Sequence, residues 1–168
     1  MKITLLPLLS ALLVPICQAA DVTEYADQQK REIKALSDTE VSGYVEGRGM
    51  GFARAAELNG YPGPAHVLEL AEKLGLTPEQ RAKAQALKDS MKNAASLGAR
   101  LIDVERRLDA LFAQGEATDE QITRLAKQIG RLHAEIRLVH LRAHLRMRDI
   151  LTADQINKYK KERGYVAN

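Results

Sequence analysis

Four side chains able to hold a metal ion recur along one stretch of the chain: His133, His140, His144 and Met147. On a helix turning about 100° per residue, they fall within about 60° of one another. His140 and His144 stand at i and i+4, a spacing that lets two imidazoles reach one ion. Met147 would add a soft thioether, which favours copper over magnesium or calcium. Cu and Zn are the ions this set would take, although nothing in the sequence requires a cofactor. Two ligands from one helix leave a site incomplete, so His66, Glu105 or a second subunit would have to finish it. The plainer reading is a half-exposed flank of a helix seam, with Met147 filling a gap in the packing.

Other chemistry is harder to find. The sequence has no glycine-rich phosphate loop, no nucleophile elbow and no paired carboxylates in a recognisable frame, so an enzyme is not expected. The formal charge of +3 is too small to argue for nucleic acid. Its distribution says more. Acids outnumber Lys and Arg eleven to six between Asp21 and Gln80, whereas Lys and Arg outnumber acids eleven to four from Arg124 onward. The two ends are therefore expected either to dock on each other or to leave the basic end facing a partner.

Residues 1–20 have the pattern of a secretory leader: Lys2, an apolar run over residues 5–16, then small residues. Cleavage after Ala19 and after Ala20 fit equally well. A lipoprotein anchor at Cys17 is disfavoured, because Ile16 sits where a small residue is wanted. Cys17 is the only cysteine, so the processed chain would have no disulfide and no thiol ligand. The expectation is an exported, periplasmic protein, residues 21–168 forming one domain held by its core or by a partner chain.

The elements that must position the histidines are all helical. Apolar residues recur at spacings of three and four, and nothing reads as a strand. A first helix is expected over residues 22–36. Ser37 and Glu40 form a capping box opening a helix to about Leu58. That helix would contain Gly43, Gly47, Gly49 and Gly51, each costing about 1 kcal/mol. Either another backbone approaches there or the helix is loose or bent, with tight packing favoured over a flexible, client-adapting segment. Asn59-Gly-Tyr-Pro-Gly-Pro64 is a turn, and a short helix follows over residues 66–74.

Thr77, Pro78 and Gln80 then open a long helix expected to reach Ala113. Its heptad seam is Leu87, Met91, Ala94, Gly98, Leu101, Glu105, Leu108 and Phe112. Glu105 is the misfit and wants an Arg, a water or a metal ion. After a short loop at Gln114–Ala117, Thr118 and Gln121 cap a second long helix to about Ile150. Its seam is Ile122, Leu125, Ile129, Leu132, Ile136, Val139, Ala143 and Ile150. The two helices should form a long antiparallel hairpin with shorter N- and C-terminal helices. Leu138, Leu141 and Leu145 make a second apolar stripe, which must meet the N-terminal helices or another subunit. A homodimer is therefore expected. Thr152 and Gln155 cap a terminal helix ending near Gly164, with Leu151 and Ile156 as its hydrophobic staple.

Leu-Thr-x-x-Gln thus occurs twice, at Leu76, Thr77, Gln80 and at Leu151, Thr152, Gln155. The pair flanks a helical hairpin behind a leader. This layout resembles the LTxxQ-motif family of periplasmic proteins, the Spy/CpxP group, whose relatives include CnrX-type and ZraP-type heavy-metal-binding proteins. The segment GRGMGFARAAELNGYPGPAHVLEL looks like a variant of that family. The resemblance implies long kinked helices, often paired in a concave dimer. It implies an ATP-independent chaperone or envelope-stress protein that binds unfolded or misfolded envelope proteins. On that reading Leu138, Leu141 and Leu145 would be the client or dimer surface. Arg142 and Arg146, with Arg131, Arg137 and Arg148, would be a rim that draws acidic segments in; otherwise they are a solvated face. The alternative is a heavy-metal sensor or resistance protein that signals to a membrane regulatory protein. CnrX-type sensors carry histidines on an early helix as well as a late one. Here the early helix carries Glu46 and Met50 instead, and His66 follows the Pro-Gly-Pro turn.

Overall fold

The computed structural model describes residues 25–166. The expected leader, Cys17, and the first residues of the helix expected over 22–36 lie outside them. Among the described residues every regular element is helical: α1 Asp38–Glu46, α2 Arg54–Glu57, α3 Pro64–Glu69, α4 Ala71–Leu74, α5 Pro78–Ser90, α6 Asn93–Ala113, α7 Asp119–Ile150 and α8 Ala153–Glu162. The all-α class and the antiparallel hairpin are as expected. α6 runs along α7 after the Gln114–Ala117 loop, and α5 packs on the far part of the same helix.

All four anticipated caps are present. Ser37, Thr77, Thr118 and Thr152 each accept the N3 backbone N–H, while the N3 side chain reaches back to the cap. This satisfies two of the N–H groups that every helix start leaves open.

α7 is the spine, 32 residues and roughly 48 Å long, and it serves two cores. Its first half packs Leu125, Leu132 and Ile136 against Leu101, Ile102 and Val104 of α6, with Tyr44 of α1, Ile33 and Leu36. Its end places Met147 and Leu151 among Val67, Ala71, Leu74, Leu76, Ala84 and Tyr159. The helix crossing of the first core is close. A Cβ on Gly98 would lie 2.3 Å from the Tyr44 carbonyl oxygen, so only glycine fits.

Four expected elements differ. Residues 25–36 are not a helix but a turn with one short 3-10 segment, Gln28–Lys30. Ile33 and Leu36 plug the first core. The Lys34 N–H donates to Asp109 Oδ1 at 2.9 Å, so tertiary partners replace the helical ladder. The glycine-rich helix stops at Glu46, because Gly47 takes φ 65° and ends it. The chain resumes as α2 only after an irregular stretch, and the expected close approach of another backbone is found there: a Cβ on Gly47 would lie 3.0 Å from the Ala95 nitrogen. The expected helix over 77–113 breaks at Met91 and Lys92. The Ala94 and Ala95 amides donate three residues back, at 2.9 and 3.0 Å, and tighten the turn. The break falls where the chain exchanges α3 for α1 as its second partner. A smaller interruption at Leu70 splits the helix expected over 66–74 into α3 and α4.

The seam residues also sort themselves. Ala94, Gly98, Leu101 and Glu105 are buried, but Phe112 is 61% exposed rather than in the seam. Glu105 has no ion-pair partner among the described residues, and burial pushes its carboxyl up. The two charged ends of the chain do meet: Arg163 Nε lies 3.8 Å from Glu57 Oε1.

The two Leu-Thr-x-x-Gln motifs touch. Gln80 Nε2 donates to Gln155 Oε1 at 2.9 Å, and Gln155 Nε2 donates back to Gln80 Oε1 at 3.0 Å. Gln80 Nε2 also reaches the Ile150 carbonyl at 2.9 Å, the end of α7. Each side-chain oxygen still accepts its own cap N–H. A glutamate would cap as well as a glutamine, but it has no N–H to donate across this contact. Gln80→Glu should therefore cost about 1–3 kcal/mol in urea unfolding, the price of a part-buried carbonyl left unpaired. The Gln80→Glu, Gln155→Glu double variant should lose more than the sum of the singles, since it opposes two carboxylates. Losses below about 0.5 kcal/mol in all three would contradict the clasp.

Candidate functional site

Between the two cores, α7 presents His140 and His144 on successive turns. Facing them are the Gly49–Ala53 stretch, α2 and the Tyr61-Pro-Gly-Pro64 turn. Together they line a partly open cavity of about 440 Å³, which also carries Met50, Met91, Glu57, His66 and the guanidinium groups of Arg54 and Arg163.

His140 is fully buried, and neither ring nitrogen has a hydrogen-bond partner among the described residues. Its ring stacks on Phe52, 6.0 Å between centroids and 3° from parallel. Burial, and then the nearby His144, push its pKa down. It is therefore neutral, with a lone pair free for an ion. Leaving a buried polar atom unpaired costs about 1–3 kcal/mol.

His144 is held differently. Its Nδ1 lies 2.8 Å from the Tyr61 carbonyl oxygen. A carbonyl only accepts, so Nδ1 carries the proton and Nε2 keeps its lone pair. Gly63 packs against this ring: a Cβ there would lie 3.0 Å from Cε1 and 3.1 Å from Nε2.

Glu57 fixes the turn that holds His144. Its Oε2 accepts the Gly63 N–H at 3.0 Å. Its Oε1 accepts the Tyr165 hydroxyl at 2.9 Å and, in a short contact, the Tyr159 hydroxyl. His66 Nδ1 and His144 Nδ1 each stand 3.6 Å from one of its oxygens. Burial alone pushes this carboxyl up. The contacts from His66, Tyr159 and Tyr165 outweigh it and hold the pKa down at about 2. One anion thus ties α2, the Pro-Gly-Pro turn, α8 and the chain beyond α8 around the cavity.

The structure brings together two of the four proposed metal ligands. Met147 is fully buried in the second core, among Val67, Leu74 and Tyr159, and does not line the cavity. His133 packs on Tyr44 at 5.9 Å and on Phe52 at 6.2 Å, in the first core. A shared helix face placed these residues on one stripe, but the two cores claim its ends. Of the groups that could complete a site, His66 lines the cavity. Glu105 faces a separate cavity with Lys34, Leu108 and Phe112. Among the described residues, no three His, Cys, Asp or Glu side chains converge for a metal.

That Met50, Met91 and Glu57 meet at one cavity emerges only from the fold. The glycine cluster and the Pro-Gly-Pro turn hinted at close backbone approach, but not at what approaches. On the outer face of α7, Leu138 and Leu145 are 43% and 53% exposed. Arg142 and Arg146 are exposed beside them, and Leu141 is partly covered.

A family model described as LTXXQ motif family protein matches residues 65–163, more than half of the chain. No curated protein and no solved structure matches. The matched region includes Met91, His140, His144 and both glutamines, and begins after Met50, Glu57 and Gly63.

Glu57→Gln should lower stability by about 2–3 kcal/mol, because charge-assisted bonds to both tyrosines and Gly63 weaken. The pH dependence follows from the depressed pKa. The carboxylate stabilises fully above its ordinary value of 4.5, and that contribution is lost as pH falls toward about 2. Thermal melts across that window should show a shallower acid limb in the variant than in the parent. Equal acid limbs would contradict the role given to Glu57.

Proposed function

The chain belongs to the LTXXQ motif family, and from that premise we propose that it is an exported, periplasmic metal-binding protein, a sensor or buffer rather than an enzyme. The observation that carries this reading is His140. A fully buried imidazole with two unpaired nitrogens on a cavity wall is costly unless something fills the cavity and accepts its lone pair. His144 supports it, with a second lone pair set by the Tyr61 bond. Both rings are neutral-competent nitrogen donors for a first-row transition ion. As a sensor, the protein would pass the loaded state to a membrane regulatory protein. No helix among the described residues is long and apolar enough to cross a membrane.

The test separates function from stability. His140→Leu removes two unpaired buried nitrogens and keeps the volume, so without metal it should be as stable as the parent or up to about 2 kcal/mol more stable. In calorimetric titrations with Cu(I), Cu(II) and Zn(II), at least one ion should bind the parent with submicromolar Kd. His140→Leu and His144→Ala should each weaken that binding by at least about tenfold. Equal, weak binding in parent and variants would overturn the reading. So would a His140→Leu protein markedly less stable than the parent.

A second reading, ATP-independent holding of partly unfolded envelope proteins, is favoured by one observation. Leu138 and Leu145 stay exposed on α7, flanked by Arg142 and Arg146. The same face is where two copies of the chain would pair. Such a surface should suppress aggregation of a denatured client at near-stoichiometric amounts without ATP, and salt should weaken capture if the arginines steer it. Leu138→Ser, Leu145→Ser should abolish suppression while leaving metal binding intact. Activity unchanged in that double variant would remove the surface from the account.

A further inference from the structure

We propose that the ion held by this site is Cu(I), bound by the thioethers of Met50 and Met91 together with the imidazoles of His140 and His144. The inference rests on the metal-binding reading and goes further by naming the ion and two ligands.

No three His, Cys, Asp or Glu side chains converge among the described residues. Zn(II) sites need about four nitrogen, oxygen or thiolate donors, and three of protein origin even when one position stays open. Glu57 lines the cavity, but both its oxygens are already committed to Gly63, Tyr159 and Tyr165. What the cavity does offer besides the imidazoles is sulfur. The sequence has four methionines, at positions 1, 50, 91 and 147. Met1 lies outside the described residues and Met147 is sealed in the second core. The other two both line this cavity. Thioethers are soft, neutral donors that bind Cu(I) and do little for Zn(II).

Both methionines also sit at backbone irregularities. Met50 has φ 38°, a left-handed conformation uncommon outside glycine, between Gly49 and Gly51. Its sulfur lies where any side chain on Gly43 would be: a Cβ built there comes within 2.1 Å of Sδ. Met91 occupies the break between α5 and α6, in a chain otherwise helical from Pro78 to Ala113. Strained backbone such as that of Met50 persists where the surrounding structure imposes it, and such positions cluster at ligand sites, whereas Met91 keeps ordinary right-handed helical angles, φ -69° and ψ -15°. Here two separate departures from regular structure bring a thioether to the wall that carries the unpaired His140. A neutral set of two imidazoles and two thioethers suits a monovalent soft ion.

The experiment compares ions across two sets of variants, using tag-free processed protein. Cu(I) affinity is read by competition with a chromophoric Cu(I) chelator, and Zn(II) and Cu(II) by calorimetry. Met50→Leu and Met91→Leu are close to isosteric and should fold, which circular dichroism melts verify. Each should weaken Cu(I) by at least about tenfold, and the pair by about a hundredfold, with no change in Zn(II) or Cu(II). X-ray absorption at the copper edge of selenomethionine-labelled parent protein should show selenium neighbours, independent of any variant. Cu(I) binding that survives both methionine substitutions but falls in His140→Leu overturns this inference and leaves the metal-binding reading standing. An absence of selenium neighbours in a loaded sample overturns it equally. If no ion binds the parent, the metal-binding reading fails first.

Discussion

The reciprocal amide contact between Gln80 and Gln155 sets the geometry on which the rest depends. It is one small interaction, two hydrogen bonds between part-buried side chains. Its reach comes from what each glutamine is already doing. Each caps its own helix, and Gln80 also takes the last carbonyl of α7. The start of α5, the end of α7 and the start of α8 are thereby fixed to one another. Leu76 and Leu151, one residue before each cap, are delivered into the same core. A chain of positions follows. α8 sets Tyr159, Tyr159 holds Glu57, Glu57 holds Gly63, and the turn beside it presents the Tyr61 carbonyl that orients His144. Motif and site are joined through three hydrogen bonds and the chain segments between them.

Against that well-satisfied network, His140 stands out as a local conflict. Native interiors pair nearly all buried polar groups, and this one leaves both nitrogens bare. Natural sequences are locally consistent except where function requires otherwise. The gap between the two cores gives the conflict its place. The first core ends near Ile136 and the second begins near Met147, and between them α7 brings His140 and His144 to the cavity wall. The cavity is the region where a ligand can compensate the cost.

Much of this was legible in the sequence, and the reasons differ by level. All four caps were readable because a capping box is a local device, written within four residues. The hairpin was readable because the heptads of α6 and α7 match. The histidine pair was readable because i and i+4 share a face. The stretch over residues 25–36 was not, because Asp109, distant in sequence, takes the Lys34 N–H. The break at Met91 has no local breaker; it comes from a change of packing partner. Met147 and His133 were misplaced for a related reason. Helical periodicity says which residues share a face, not which of two cores will cover each end of it. Glu57 was invisible, since nothing near it in sequence shows that Tyr159 and Tyr165 will arrive.

The central claim is that the space beside His140 is a metal site and not a packing defect. The most direct measurement is a crystal structure of the protein loaded with Cu(I), with diffraction recorded on both sides of the copper absorption edge. The account predicts one anomalous peak in the cavity, bonded to a His140 nitrogen, with Met50 and Met91 sulfur atoms as its neighbours. A cavity filled by water hydrogen-bonded to His140, with copper only at surface histidines or nowhere, would contradict it.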